Sequence, residues 1–264
     1  MDNKIIGNIQ PALPYIEIDH LSKVYGEKFA VDDVSSVVYS GEIFGFLGPN
    51  GAGKTTTIKM IVGLLQPTSG TVRVTGYDVR TEQLKAKASC GFVPDTPNLY
   101  TKLSARELLH FVGDLYDIDR IQVNRRIDEL LRLFDLVEAG DDQIDSYSHG
   151  MQQKTSLAAA LMHDPKVLVL DEPTVGLDPK SARLIKDILR QLASRGAAIF
   201  LSTHILEIAE RMCDRIGIIN KGKLIAVGTM EELRAMGKGE TSLEDIFLSL
   251  TGGAEAAEIA DVLK

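Results

Sequence analysis

The 264-residue sequence predicts an α/β fold: a mainly parallel sheet, an N-terminal antiparallel β subdomain and an inserted helical subdomain. Three observations carry that prediction. Short apolar runs at residues 43–47, 167–170 and 198–201 have the composition of strands buried on both faces. Apolar positions at helical spacing follow the first two runs, and βα alternation of this kind builds parallel sheets with helices on both sides. Residues 104–163, in contrast, carry helical periodicity with no strand pattern inside it.

The elements follow in order. Residues 1–14 read as a polar leader ended by Pro11 and Pro14. Apolar positions at Ile16 and Ile18, and again at Val34 and Val37, predict antiparallel strands. The run Ile43-Phe44-Gly45-Phe46-Leu47 leads into glycines and then Ile58, Ile61, Val62 and Leu65 at helical spacing, so strand, loop and helix succeed one another. Gly91-Phe92-Val93-Pro94 reads as a further strand. Ser104 and Glu107 form a capping box, with Leu103 and Leu108 as its hydrophobic staple. Leu108, Phe111, Val112 and Leu115 continue that helix on one face, and Val123, Ile127, Leu130, Leu131 and Phe134 mark a second. The helical subdomain spans about 95–163 of a single domain at 15–250. A later helix carries Ile185, Ile188, Leu189 and Leu192, with Pro179 in its first turn and Gly196 just past its end. Residues 216–219 and 224–227 predict a hairpin joined at Asn220-Lys221-Gly222, and Thr229 with Glu232 opens another capped helix. The tail 251–264 is Ala- and Glu-rich and reads as frayed.

Composition narrows the functions available. A chain of this length buries roughly 70–75% of its unfolded surface and needs no disulfide or structural metal. Hydrophobic residues make up 44% and charged residues 25%, ordinary for a globular protein. The net charge of −8 argues against non-specific attraction to nucleic acid or anionic lipid. Cys90 and Cys213, with no Cys/His cluster, exclude a zinc ribbon or disulfide scaffold. No apolar run approaches the ~18 residues of a spanning helix, and residues 1–20 lack a signal-peptide core, so a soluble cytosolic protein is expected.

The chemistry begins at Gly48-Pro49-Asn50-Gly51-Ala52-Gly53-Lys54-Thr55, followed by Thr56. This fits the phosphate-loop pattern and lies between a strand and a helix, as that loop requires. Its backbone N–H groups and the helix N-terminus suit a phosphate chain. Lys54 would reach the β- and γ-phosphates of a bound nucleotide, and the Thr55 hydroxyl would bind Mg²⁺. Asp171, at the end of the strand 167–170, is the expected second Mg²⁺ ligand. Neighbouring side chains point opposite ways in extended chain, which leaves Glu172 facing the attacking water as general base. These motifs define a P-loop NTPase core.

Three further segments narrow the class. Tyr147-Ser148-His149-Gly150-Met151 resembles the L-S-G-G-Q signature of ABC-transporter ATPases, Val175-Gly176-Leu177-Asp178 resembles their D-loop, and Ser202-Thr203-His204 resembles their switch histidine. Order and spacing are similar to that family from about Ile16 to Thr229. The resemblance implies a head-to-tail dimer, homomeric or heteromeric, with two ATP molecules sandwiched between the phosphate loop of one subunit and Ser148, His149, Gly150 and Met151 of the other. It implies that Asp178 bridges that interface, that His204 contacts the γ-phosphate, and that Tyr25 stacks on adenine. It further implies a separate transmembrane permease subunit, contacted near residues 95–115, and a place at the cytoplasmic face of the membrane. Asp95 stands where the family usually has glutamine beside Mg²⁺; a carboxylate can still meet the metal but loses an amide donor. The S-x-G-M signature and the C-terminal Ser242–Phe247 segment look like the drug-, antibiotic- and lipid-exporter branch. A soluble ABC ATPase acting on ribosomes or nucleic acid is the alternative, opposed by the single phosphate loop, the compact insertion and the acidic charge.

Overall fold

A computed structural model describes residues 13–236 and 242–251. Most of the leader and the tail beyond Thr251 lie outside the described residues. The leader boundary itself moves: β1 (Pro14–Tyr25) already begins at Pro14, and the Leu13 carbonyl accepts from the Ser40 N–H at 2.8 Å.

Two sheets organise the chain. β1, β2 (Lys28–Tyr39), β4 (Ser69–Val74) and β5 (Tyr77–Asp78) form an antiparallel sheet in the order β2-β1-β4-β5. The larger sheet runs β10-β9-β3-β8-β7-β6, from β3 (Ile43–Leu47), β6 (Cys90–Val93), β7 (Val167–Asp171), β8 (Ala198–Thr203), β9 (Arg215–Asn220) and β10 (Lys223–Gly228). Its pairs are parallel except β9 with β10. That hairpin turns on Lys221 (φ 48°) and Gly222 (φ 83°), the two left-handed residues a tight I′-type turn requires. Register shifts in β1–β2 displace the inward face, so Val31, Val34 and Val38 are buried rather than Val34 and Val37.

The all-apolar strands divide their side chains by parity between two cores. Leu168 and Leu170 of β7, with Ile199 and Leu201 of β8, face the helices α3 (Ala105–Leu115), α4 (Arg120–Leu133), α5 (His149–Ala160) and α6 (Pro179–Ser194). Val167, Val169, Ala198 and Phe200 face α1 (Lys54–Ile61) and the antiparallel sheet. Phe200 lies 5.7 Å from Phe44 and 5.2 Å from Phe46, and truncating such a buried ring costs about 3–5 kcal/mol. A third cluster joins Ile216 and Ile218 to α8 (Met230–Met236) and α9 (Leu243–Thr251) through Leu233, Leu243 and Ile246.

Two helices differ from the expectation. α1 ends at Ile61, ahead of Leu65, whose N–H bonds back to the Lys59 carbonyl at 2.9 Å. In α3 the capping box forms as expected, with Ser104 Oγ accepting from the Glu107 N–H at 3.1 Å. Its buried face, however, is Ala105, Leu108, Leu109 and Gly113; Phe111 and Leu115 are exposed at 46% and 68%. Helical spacing located the apolar stripe, but α4 packs on its other flank, with Val123 against Gly113. Strands β4 and β5 and the short helices α2 (Gln83–Ala88) and α7 (Leu206–Met212) are elements that no periodicity in the sequence reveals.

Candidate active site

β3 lies between β8 and β9, so the loop after it opens at the carboxyl end of the parallel strands, where α/β folds bind ligands. The first α1 bond runs from the Thr57 N–H to the Gly53 carbonyl at 2.9 Å. The N–H groups of Lys54, Thr55 and Thr56 therefore lie ahead of the helix's own ladder and are free to meet a phosphate. Gly53 is held at φ 111°, and a Cβ there would sit 2.4 Å from the Ala30 carbonyl oxygen, so glycine is required.

Asn50, Gly51, Gly53, Lys54, Thr55, Thr56, Asp95, Asp171 and Glu172 line one cavity of about 220 Å³ with Ala30. Lys54, only 7% exposed, donates from Nζ to the carbonyls of Gly48 (2.7 Å) and Pro49 (3.3 Å) and lies 3.8 Å from Glu172 Oε1. Burial pushes its ammonium below the usual lysine range, against the opposing pull of Glu172 and Asp171. A buried cation ringed by carbonyls and N–H groups fits an anionic phosphate chain. The Thr55 hydroxyl and the Asp171 carboxylate supply hard oxygen ligands to the same cavity, which suits Mg²⁺.

Glu172 departs from the strand-alternation argument. It leaves β7 with φ 49°, a left-handed conformation rare for a non-glycine residue, so its side chain turns into the cavity that Asp171 also lines. Its Oε1 lies 2.8 Å from His204 Nδ1, and its Oε2 accepts from the His204 N–H at 3.4 Å. Glu172 and His204, 32 positions apart, are thus brought together.

The adjoining cavity, about 580 Å³, shares Ala30 and Gly51 with the first and is lined by Tyr25, Lys28, Phe29 and Lys221. Tyr25 stands 55% exposed there, open to a planar ligand. Phe29, Lys28 and Lys221 were not expected; only the hairpin's packing, with the Gly222 N–H donating to the Ala52 carbonyl at 2.9 Å, brings Lys221 alongside.

The remaining expected residues lie elsewhere. Ser148 caps α5, its Oγ accepting from the Met151 N–H at 3.3 Å, and Ser148 and His149 are exposed. None of Ser148, His149, Gly150 and Met151 lines either cavity. The His149 ring packs within 3.4 Å of where a Gly176 side chain would start, tying that segment to the loop before α6. Asp178 caps α6, accepting from the Ser181 N–H (3.0 Å) and hydroxyl (2.6 Å), and these bonds hold its carboxyl below the usual range. Burial pushes the Cys90 and Cys213 thiols up to about 12, so neither is poised to react.

A phosphate loop at the end of the central parallel strand β3, sharing one cavity with the carboxylates at the end of β7 on the far side of β8, defines a nucleotide-hydrolysing P-loop protein. The ABC transporter family model matches residues 31–175, and the chain belongs to that family as an ATP-binding ATPase. It is 40% identical over 245 residues to the linearmycin resistance ATP-binding protein LnrL of Bacillus subtilis, covering 93% of this chain and 78% of that one. It is 38% identical over 242 residues to the daunorubicin resistance ATP-binding protein DrrA3 of Streptomyces coeruleorubidus, covering 92% and 76%. A solved ATP-binding subunit of an ABC transporter superposes with TM-score 0.85 at 34% identity, covering 90% of this chain and 99% of that one. A dimeric ATP-binding cassette in a post-hydrolysis state with ADP and phosphate gives TM-score 0.76 at 25% identity, covering 81% and 98%.

Proposed function

We propose that two copies of this subunit, or one with a close relative, close head to tail around two ATP molecules and drive export through a separate transmembrane permease. The orientation of the signature carries this reading. Ser148–Met151 presents a helix N-terminus to solvent, outside the cavities lined by its own Lys54, Asp171, Glu172 and Tyr25, which favours a second subunit as the source of the phosphate it meets. Asp178, beside His149 and Gly176 in that exposed region, belongs to the same interface.

Within each site the loop amides and Lys54 bind the phosphates, and Tyr25 stacks on the base. Thr55 and Asp171, with Asp95 at the cavity edge, would hold Mg²⁺, which supplies neutralisation of phosphate charge when bound. Glu172 accepts the proton of the in-line water, and His204 fixes that carboxylate and faces the γ-phosphate. Asp95 also lines a neighbouring groove of about 700 Å³ with Leu99, Val112 and Leu115. This groove, with exposed Phe111 and Tyr100 beside it, is the proposed permease contact.

No helix among the described residues is long and apolar enough to cross a membrane, so transport needs a membrane partner, and we place this subunit at the cytoplasmic face. Export is supported by relatives named for antibiotic and drug resistance and for Nod factor export. Affinity purification of the tagged chain from detergent-solubilised membranes, with mass spectrometry of what co-purifies, tests the assignment. A stoichiometric polytopic protein is expected. Recovery with ribosomes or nucleic-acid proteins alone would refute it.

A further inference from the structure

We propose that Ser202 is a positioning residue for hydrolysis, its hydroxyl holding the Asp171 carboxylate and the Glu172 backbone amide together. Asp171 and Ser202 are register partners on parallel β7 and β8, at the parity of Val167, Val169, Ala198 and Phe200. Ser202 is fully buried. Its Oγ donates to Asp171 Oδ1 and accepts from the Glu172 N–H at 3.3 Å, while its carbonyl accepts from the same N–H at 3.2 Å.

A hydroxyl carries one hydrogen and two lone pairs. Here the hydrogen commits one Asp171 oxygen and leaves the other for a ligand. A lone pair helps anchor Glu172 at its left-handed φ of 49°, a conformation that persists only where its surroundings hold it. A buried hydroxyl following four apolar residues would be unfavourable without such partners. Sequence spacing separates Ser202 from Asp171 by 31 positions; the strand register alone joins them.

The inference rests on the reading of Asp171 as the magnesium carboxylate, and the test separates the two. ATP affinity of the full chain is measured by calorimetry in EDTA and in Mg²⁺, with melting of the nucleotide-free protein, for wild type, Ser202→Ala and Asp171→Asn. Ser202→Ala, which leaves the Asp171 carboxylate and the Glu172 amide each short of a partner, is expected to melt somewhat lower yet keep wild-type EDTA affinity while the Mg²⁺-dependent gain falls, on the 10–100-fold scale typical of groups that orient a metal ligand. Asp171→Asn loses that gain as well. If Ser202→Ala keeps the full gain while Asp171→Asn loses it, Ser202 has no positioning role. Equal losses in EDTA and Mg²⁺ with lower melting reduce Ser202 to packing. If Asp171→Asn itself keeps the gain, the metal reading fails and the inference with it.

Discussion

Glu172→Gln separates chemistry from binding. The substitution preserves side-chain shape and the backbone at φ 49°, and removes one negative charge 3.8 Å from Lys54 Nζ and 2.8 Å from His204 Nδ1. An amide cannot take the proton of an attacking water, so turnover should fall about 10²–10⁴-fold, roughly 2.7–5.5 kcal/mol of barrier. Binding should move the other way. In the wild type the Glu172 carboxylate competes with phosphate for the Lys54 ammonium and repels the phosphate oxygens. The glutamine variant should therefore bind ATP as tightly or more tightly, and an ATP-stabilised dimer should accumulate. Phosphate release at saturating ATP, calorimetry and size-exclusion chromatography with ATP measure the three effects. Turnover close to wild type would remove Glu172 from the role of base. Turnover and affinity falling together would show that the substitution had only damaged the site.

Other outcomes follow from the same geometry. Gly53→Ala places a methyl 2.4 Å from the Ala30 carbonyl at φ 111°, so it should cost about 1–3 kcal/mol or more in thermal unfolding and weaken nucleotide binding. Gly150→Ala meets nothing nearer than Leu177 Cδ2 at 3.7 Å; melting should hold, or improve by up to about 1 kcal/mol from helix propensity, and ATP affinity of the monomer should be unchanged. Its turnover should nonetheless fall, on the ~10²-fold scale of losing a preorganised donor, because the methyl would intrude at the proposed dimer face. The His163 ring stacks on Tyr116 at 3.8 Å, and burial lowers its pKa against smaller opposing effects of the Cys90 backbone and Asp164. The folded state thus binds fewer protons than the unfolded state below about pH 6.5, and stability drains as pH falls through the lowered folded value. His163→Phe, which keeps the stack, should show a smaller loss of melting temperature between pH 7.5 and pH 5, as followed by circular dichroism; an unchanged slope would exclude His163 as the source.

Much of this protein was legible in its sequence because the deciding interactions are local. The phosphate loop is a contiguous run whose glycines and helix start act within eight residues. The expected caps at Ser104 and Thr229 each reach only three positions along the chain. The parallel strands announced themselves because both their faces are buried, which leaves no polar positions in the run.

What the tertiary structure alone decided depends on register and on which flank of an element finds a neighbour. The α3 stripe was visible, but α4 and the core took Leu109 and Gly113 and left Phe111 and Leu115 outside. Asp171 keeps the parity of β7, whereas at Glu172 the backbone turns left-handed and brings both carboxylates into one cavity, which alternation does not encode. Ser202 beside Asp171 and Lys221 beside Tyr25 are products of strand pairing and hairpin packing. Such contacts join residues tens or hundreds of positions apart, and no periodicity of 2 or 3.6 encodes which distant strand a given strand will meet.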